Sequence, residues 1–433
     1  MRLAVHSYPS DLAARVAGAL RRRRLPAPPP AGLTKLLEVL FFASLKGDEL
    51  RNTTVSVVAL DPAAPDPTPP PRIRSDRWSY VPLGVPLEFS VDVLCKLSHA
   101  TDPRSSSLAV WFKRGQPYVW GLVDQQNGFF DFINHESQSG PERPGLFQAV
   151  VTRPGWVTVY HHYERLAELR VNSIASRQPD VLWKGPISQK LEAGILRYMK
   201  RVTGRLRKED PQFQPNVEDR SAWTSSWLEV LSRLFLRTKA FHHGGAFLFT
   251  PSKTDLNVGR SINYKRIPRA LDGIGYYESK KYRVFDKIDA IEKHGDSIPL
   301  ELHYDSVVGD DELEDARSEL DSAIWFVSLL SRMDGAVLLD FDMSVLGFGV
   351  EILTTAVPAS IFRVCDAVGN VGSLRRIGYE HYGTRHRSMI RYCASQPGAV
   401  GFVISQDGDV RAVTAHRGHV LLWDDIKLQI SFR

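Results

Sequence analysis

Two short segments of the chain carry residue types suited to chemistry on phosphate. The first is Asp334-Gly335-Ala336, and the second, some fifty residues later, is Gly383-Thr384-Arg385-His386-Arg387-Ser388. Planar guanidinium groups bind phosphate oxygens through paired hydrogen bonds. Because Arg385 and Arg387 flank His386, an extended or turning segment would point both arginines to one side. The second segment therefore predicts a site for a phosphate-bearing ligand.

Other residues in the two segments fit the same chemistry. Gly383 and Thr384 would let the backbone approach a phosphate and would offer N–H and hydroxyl donors. Asp334 follows a predicted helix and opens a predicted strand, and a carboxylate at a strand edge is a suitable ligand for Mg²⁺ or Mn²⁺. Each segment alone is equally compatible with an ordinary turn or with surface charges. The two in this order favour a nucleotide site.

Composition indicates an ordinary globular protein with an anionic ligand. The chain has 433 residues, of which 43% are hydrophobic and 24% charged, enough for two or three domains. A net charge of +6 suits an anionic ligand but is too diffuse to indicate specific binding of nucleic acid. We expect no nucleic-acid partner.

The cysteines and the hydropathy pattern point to a reducing compartment. Cys95, Cys365 and Cys393 are far apart in sequence and form neither a metal-ligand spacing nor a disulfide framework. No stretch approaches the roughly 20 apolar residues that a membrane helix needs. We expect a cytoplasmic protein without membrane insertion.

Periodicity predicts an α+β module over residues 1–206, a charged linker over 207–220 and a second domain over 221–433. In the first module we expect two helices before residue 50, a strand at 53–60, an exposed Pro-rich loop at 61–72, two hairpins between 107 and 160, and a helix at 187–206. The module contains no catalytic constellation, so we expect it to transmit a signal or bind a partner.

The second domain is predicted to contain a mixed central sheet flanked by helices, an α/β (α+β) fold. Residues 251–308 read as irregular, with one helical stretch near 283–293. The predicted order of the other elements is helix 221–239, strand 245–250, helix 311–332, strand 336–339, its return at 344–352, a helix after Arg387, and strands near 399–404, 410–413 and 420–423.

This order of elements, together with the two segments, resembles the diadenylate cyclases, which condense two ATP into cyclic di-AMP. The resemblance covers roughly residues 221–425. It implies a catalytic role for Asp334, a metal site of Mg or Mn at Asp334 and Asp407 when a triphosphate is bound, and a set of residues around the nucleotide. That set is Gly335, Ala336, Gly349, Gly383, Thr384, Arg385, His386, Arg387 and Ser405.

Three positions depart from the cyclase pattern. The acidic residue that follows the serine in active enzymes is replaced by Gln406, which would weaken a metal site. Glu351-Ile352-Leu353 stands where the enzymes usually carry Leu-Pro-Leu, and the stretch 354–382 is longer than a minimal cyclase loop.

The whole chain also resembles the DACNV family, a predicted group of sensors related to diadenylate cyclases. Four recurring features of that family occur here, namely Tyr8-Pro9-Ser10-Asp11-Leu12, His243-Gly244-Gly245, Leu346-Gly347-Phe348-Gly349 and Ser405-Gln406-Asp407-Gly408. The resemblance implies a nucleotide-sensing module coupled to an effector protein or a defence system.

Three functions therefore compete. The first is a sensor that binds an adenine nucleotide or a cyclic dinucleotide, and Gln406 favours it. The second is an active diadenylate cyclase, which would require two protomers related by a two-fold axis, as a homodimer or a higher oligomer. The third is a partner-binding protein with a vestigial pocket, which the intact Asp334, Arg385, His386 and Arg387 disfavour.

Overall fold

The computed structural model describes most of the chain and divides it into two compact units. The described residues are 7–48, 51–63, 79–103, 105–124, 146–161, 164–175, 178–294, 297–406 and 408–428. The units are Met1–Arg177 and Gln178–Arg433. Both are mixed α+β folds with a mixed sheet and flanking helices, as the sequence predicts.

In the described residues, the first unit is built on an eight-stranded sheet with three helices. The helices are α1 (Pro9–Arg22), α2 (Pro30–Leu45) and α3 (Val91–Ser98). The strands are β1 (Gly47–Asp48), β2 (Arg51–Asn52), β3 (Val55–Ala59), β4 (Ser79–Glu88), β5 (Ser106–Lys113), β6 (Gln116–Asp124), β7 (Phe147–Arg153), β8 (Trp156–His161), β9 (Glu164–Arg170) and β10 (Ser173–Ala175). The sheet order is β10-β9-β8-β7-β3-β5-β6-β4, with β3 and β5 parallel, while β1 and β2 form a separate pair.

The apolar faces of the three helices and one face of this sheet form a common core, to which Leu12, Leu36 and Val57 belong. The predicted first helices, the strand after residue 53 and both hairpins are confirmed. The sequence did not predict β4, α3, β9 or β10. Most of the Pro-rich segment, residues 64–72, lies outside the described residues.

Within the part of the chain that the structure describes, the second unit is built on a nine-stranded sheet with five α-helices. The helices are α4 (Pro186–Leu206), α5 (Val217–Ala240), α6 (Arg266–Lys293), α7 (Leu300–Leu330) and α8 (Thr384–Ser395). The strands are β11 (Gly245–Phe249), β12 (Leu256–Tyr264), β13 (Ala336–Leu339), β14 (Val345–Ile352), β15 (Ile361–Val364), β16 (Leu374–Arg376), β17 (Val400–Ile404), β18 (Val410–His416) and β19 (His419–Trp423). Their order is β12-β14-β13-β11-β17-β18-β19-β15-β16, and only the described pairs β11–β13 and β15–β19 are parallel.

Helices cover both faces of this sheet. On one face α4, α5, α6 and α7 form a large core in which Trp223 and Trp227 are fully buried, as their helical spacing predicts. On the other face α8 buries Met389 and Ile390. Met389 packs where a side chain at Gly401 of β17 would otherwise lie, so the missing side chain lets α8 approach the sheet closely.

The boundary between the units differs from the predicted linker. Helix α4 belongs to the second unit, where its apolar side joins the core of α5 and α6, so the division falls at residues 177–178 and not at 207–220. The predicted linker is also partly helical, because α5 begins at Val217. Prolines and charges in this stretch mark a turn between two helices that share one core.

The prediction of irregular structure over 251–308 is wrong. This stretch contains β12, all of α6 and the start of α7. Buried residues of α6 lie only between Ile267 and Ser279. The predicted helical stretch near 283–293 is confirmed as the C-terminal part of α6. The sequence analysis missed the N-terminal part of this helix, although that part buries Ile267, Leu271 and Ile274.

None of the helices in the described part of the chain combines the length and apolar character needed to cross a bilayer.

Asn216 is expected to stabilise the start of α5. Its side-chain oxygen accepts a hydrogen bond from the Asp219 N–H at 2.7 Å, and the Asp219 carboxylate accepts one from the Asn216 N–H at 3.1 Å. Asn216→Ala should lower the free energy of unfolding by about 1 kcal/mol, measured by urea denaturation. Asn216→Asp, which keeps the acceptor, should retain most of the stability. Equal losses in both variants would contradict a capping role.

Candidate functional site

Helix α8 begins inside the arginine-rich segment. Gly383 precedes the helix without a capping side-chain hydrogen bond, and Thr384 is the first helical residue. The Arg387 N–H makes an early hydrogen bond of the helix, to the Gly383 carbonyl at 3.1 Å. The N–H groups of the first turn have no partners within a helix, so they are directed towards the space before it.

The prediction that Arg385 and Arg387 point to one side is wrong. In an α-helix, residues two apart are separated by roughly 200° around the axis, so their side chains leave the helix in nearly opposite directions. Both arginines lie in the first turn of α8. In the described structure the Arg385 side chain makes hydrogen bonds to other residues, and the two arginines face different surroundings.

Arg385 joins the two segments that the sequence singled out. Its Nη2 donates to Asp334 Oδ1 at 2.8 Å, and its Nη1 donates to the carbonyl oxygen of His243 at 3.3 Å. The Asp334 side chain is 99% exposed, whereas that of Arg385 is 27% exposed. An ion pair to so exposed a carboxylate contributes little to stability, so the guanidinium is available to an anion that binds it more strongly.

Glycines bring the backbone close to this ion pair. Gly335 has φ of 97°, and a Cβ built on it would lie 2.7 Å from the carbonyl carbon of Gly349, so another residue would be both strained and too large. A Cβ on Gly244 would lie 3.4 Å from Nη1 of Arg385. Glycines just before β11 and β13 and within β14 therefore let the backbone segments approach closely beside the exposed Asp334.

A second guanidinium lies at the same edge. A Cβ built on Gly349 would be 3.6 Å from both the Asp334 carbonyl oxygen and Nη1 of Arg260. Arg260 is an exposed residue of β12, next to the ring of Phe348. The sequence did not identify Arg260, because the strand that carries it was read as irregular.

His386 is held by a network of charged side chains. Nη1 of Arg411 lies 2.9 Å from Nε2 of His386. A guanidinium can only donate, so Nε2 accepts this hydrogen bond. The proton of the neutral imidazole is therefore on Nδ1. The Arg411 Nε donates to Asp424 at 3.3 Å, and the Tyr382 ring lies 5.6 Å from the imidazole. Sequence reasoning missed Arg411, Tyr382 and Asp424, although Arg411 is a lone charge in an otherwise apolar strand.

Burial lowers the pKa of His386 to about 4, and the nearby Arg411 charge acts in the same direction. The imidazole is therefore neutral at physiological pH. Its position is set by the guanidinium of Arg411, so His386 is better placed to orient the start of α8 than to carry positive charge.

The other predicted residues occupy varied positions. Gly383 and Thr384 are exposed at the start of α8, and Ala336 is buried in the core. Ser405 shapes the turn after β17, since its Oγ accepts a hydrogen bond from the Asp409 N–H at 3.1 Å. Asp407 lies outside the described residues.

The described residues do not form a metal site by themselves. Nowhere in the described part of the chain do three His, Cys, Asp or Glu side chains gather as a metal ion would require. At the edge of the sheet, Asp334 contributes one carboxylate, and that carboxylate is paired with Arg385. Because Asp407 lies outside the described residues, the predicted Mg or Mn site at Asp334 and Asp407 stays a prediction.

Residues 22–124 match a known family model. Its description is "Probable sensor domain DACNV". The matched segment lies in the first unit, from the end of α1 to the end of β6, and includes none of the predicted site residues. The match is consistent with a sensor role. No curated protein and no solved structure matches the chain.

The burial of His386 makes stability depend on pH. The pKa of His386 is about 4 in the folded protein and near 6.5 in an unfolded chain. The unfolded chain therefore binds a proton first as the pH falls, which favours unfolding. The contribution of the neutral His386 to the free energy of unfolding is complete above about pH 6.5 and is lost as the pH falls towards 4. The loss should reach the order of 3 kcal/mol. His386→Gln should remove this part of the pH dependence, as measured by urea unfolding between pH 7 and pH 4. Parallel pH profiles for the two proteins would show that His386 titrates normally.

Proposed function

We propose that the chain is a sensor whose second unit binds the phosphates of an adenine nucleotide or a cyclic dinucleotide at Arg385 and the start of α8. The observation that carries this proposal is the pairing of Arg385, in the first turn of a helix without a side-chain cap, with the exposed Asp334. The sensor model matched by residues 22–124 supports the same class of function.

Phosphate is a stronger partner for this site than Asp334. Free N–H groups and the positive end of the helix dipole attract an anion to the start of α8. A phosphate group offers more oxygen acceptors than a carboxylate, so it can accept from Arg385 and from the helix N–H groups together. Arg260, beside Gly349 at the same edge, would add a second positive charge.

The proposed ligand displaces an internal partner. Asp334 is the ion-pair partner of Arg385, and a bound phosphate would replace it at the guanidinium. A sensor requires a ligand with different affinity for two arrangements of the chain, and the exchange of partners at Arg385 supplies two such arrangements.

An active diadenylate cyclase is the second candidate, because Asp334 is exposed at the edge where a triphosphate would bind. One observation weighs against it. Gln406 is neutral where the cyclases carry an acidic residue, which would weaken a metal site. Without a metal to neutralise the charge that develops at the α-phosphate, attack by a ribose hydroxyl has a high barrier.

Arg385 and Arg387 should contribute differently to the affinity for a nucleotide. Charge-assisted contacts to phosphate are each worth about 1.5–3 kcal/mol, so Arg385→Ala should weaken binding of ATP or cyclic di-AMP more than tenfold by calorimetry. Arg387→Ala is the matched control and should have a smaller effect, because it leaves the helix in a different direction. Asp334→Asn should preserve or strengthen binding, since it removes the competing charge. Unchanged affinity in Arg385→Ala would refute the proposed site.

Incubation with ATP and Mn²⁺ should yield little or no cyclic di-AMP, as measured by chromatography and mass spectrometry. If Gln406 is what limits the metal site, Gln406→Glu should increase Mn²⁺ affinity measured by calorimetry. Robust formation of cyclic di-AMP by the unaltered protein, lost in Asp334→Asn, would establish the cyclase instead.

A further inference from the structure

A cavity of about 270 Å³ lies in the second unit, at the edge of the sheet where β18 turns into β19. Three segments form its walls. They are residues 356–360 before β15, the turn between β18 and β19, and the end of α8 with Pro397 just after it. Pockets for drug-sized ligands measure roughly 300–1,000 Å³, so this cavity suits a smaller molecule.

This edge of the sheet is opposite to the one that carries Arg385. Strand β11 begins at the phosphate site with Gly245 and ends at Phe249, which is joined through β17 to Thr414 at the end of β18. Five residues of a strand span roughly 15 Å. Helix α8 covers the same distance, since Arg385 lies in its first turn and Ala394 near its end lines the cavity. The cavity is therefore separate from the phosphate site.

The polar side chains of the cavity are basic or neutral. His416 and His419 are opposite each other in the β18–β19 hairpin, which turns through Arg417 and Gly418 with φ of 50° and 78°. Directly opposed residues of a hairpin have their side chains on the same face. Ser360 is the remaining polar side chain, and the described residues that line the cavity include no Asp or Glu.

A lysine adds positive charge behind two of the walls. Nζ of Lys190, on α4, donates to the carbonyl oxygens of Pro397 and Ala415, the latter at 2.7 Å, and to Oγ1 of Thr414. These three acceptors are neutral, so they satisfy the ammonium group without cancelling its charge. Pro397 and Ala415 both line the cavity. Lys190 thus holds two of the walls together and leaves a positive charge behind them.

The pKa of His416 responds to these positive charges. Burial lowers it, and the charges of Arg417 and Lys190 act in the same direction, because they disfavour a further positive charge nearby. The same field attracts an anion. Arg417 is the only Arg or Lys among the described lining residues, so the cavity suits a singly charged anion better than a doubly charged phosphate.

Ser360 and His419 offer a hydrogen-bond donor in either arrangement of the proton between them. Oγ of Ser360 lies 2.6 Å from Nδ1 of His419. When the hydroxyl donates to Nδ1, the imidazole carries its proton on Nε2, and when Nδ1 donates, the hydroxyl proton is free. Each arrangement leaves one N–H or O–H for an acceptor in the cavity.

Apolar side chains form the rest of the lining. These include Val357, Pro358 and Ala359 in the first wall, and Ala394 and Pro397 at the end of α8. Burial of hydrocarbon against such groups is favourable and has no directional requirement. The lining therefore combines a charged end with an apolar surface.

We propose that this cavity binds a small organic anion, namely a carboxylate on a compact apolar body. The carboxylate accepts hydrogen bonds from Arg417 and from the Ser360–His419 pair, while the apolar body packs against Val357 and Pro358. A charge-assisted hydrogen bond is roughly twice as strong as a neutral one, so the charge of the ligand decides its affinity. The inference goes beyond the phosphate site, because it uses none of the residues assigned there.

The test titrates the full chain with three probes, followed by the NMR signals of each probe. Benzoate has both the charge and the apolar body, benzamide has the body without the charge, and acetate has the charge without the body. Benzoate should bind at least tenfold more tightly than either of the others.

Two variants locate the binding. Arg417→Asn removes the charge, and Asn tolerates a φ of 50°, so the turn is kept while benzoate should bind at least tenfold more weakly. Arg114→Asn is the matched control, because Arg114 and Gly115 form a hairpin turn with φ of 50° and 80° in the first unit. This control should leave the affinity for benzoate unchanged.

Three results would overturn the proposal: no binding of benzoate, equal affinity for benzoate and benzamide, or unchanged affinity in Arg417→Asn. Arg385→Ala leaves every lining residue in place and should bind benzoate as the wild type does. Loss of benzoate binding in Arg385→Ala would assign the anion to the phosphate site and would also overturn the proposal.

Discussion

Burial of the central strands on both faces is the constraint on which the second unit depends. The side chains of β11 alternate between two cores, with Phe247 and Phe249 on the side of α5 and Ala246 and Leu248 on the side of α8. A strand packed in this way has no surface for polar chemistry along its length. Polar groups that act on a ligand must lie where strands begin or end, and Gly244 and Asp334 occur just before β11 and β13.

The same constraint explains which parts of the fold were predictable from sequence. Strands such as β11, β13 and β17 are short apolar runs, and helices such as α5 bury a continuous stripe that includes Trp223 and Trp227. Pattern reasoning depends on burial, so it succeeded for these elements. It failed for β12 and for the start of α7, because neither buries a side chain fully before Leu313. It also missed the N-terminal part of α6, although that part buries Ile267 and Leu271, so burial alone does not make an element predictable.

The candidate site shows a different limit of prediction from the sequence. The sequence identified Asp334 and Arg385 as residues to consider together, and the structure places them 2.8 Å apart. The sequence did not show that α8 begins at Thr384. Whether Arg385 and Arg387 lie in a helix or in an extended segment decides whether their side chains point in the same direction, and helix starts are predicted only to within a few residues. Arg260, Arg411 and Asp424 were missed because their relevance comes from strand pairing and not from a local motif. The family match and the site fall in separate parts of the chain, so they are independent observations.

The contact between Met389 and Gly401 has a mechanical consequence. Met389 lies one turn beyond Arg385 on α8, and it fits against β17 only because Gly401 has no side chain. The glycine thus helps to set the distance between α8 and the sheet. An added methyl group at this position would meet Met389 Cγ and Sδ, so either that side chain or α8 itself would have to move. A residue with no chemistry of its own thus helps to fix the helix that carries Arg385.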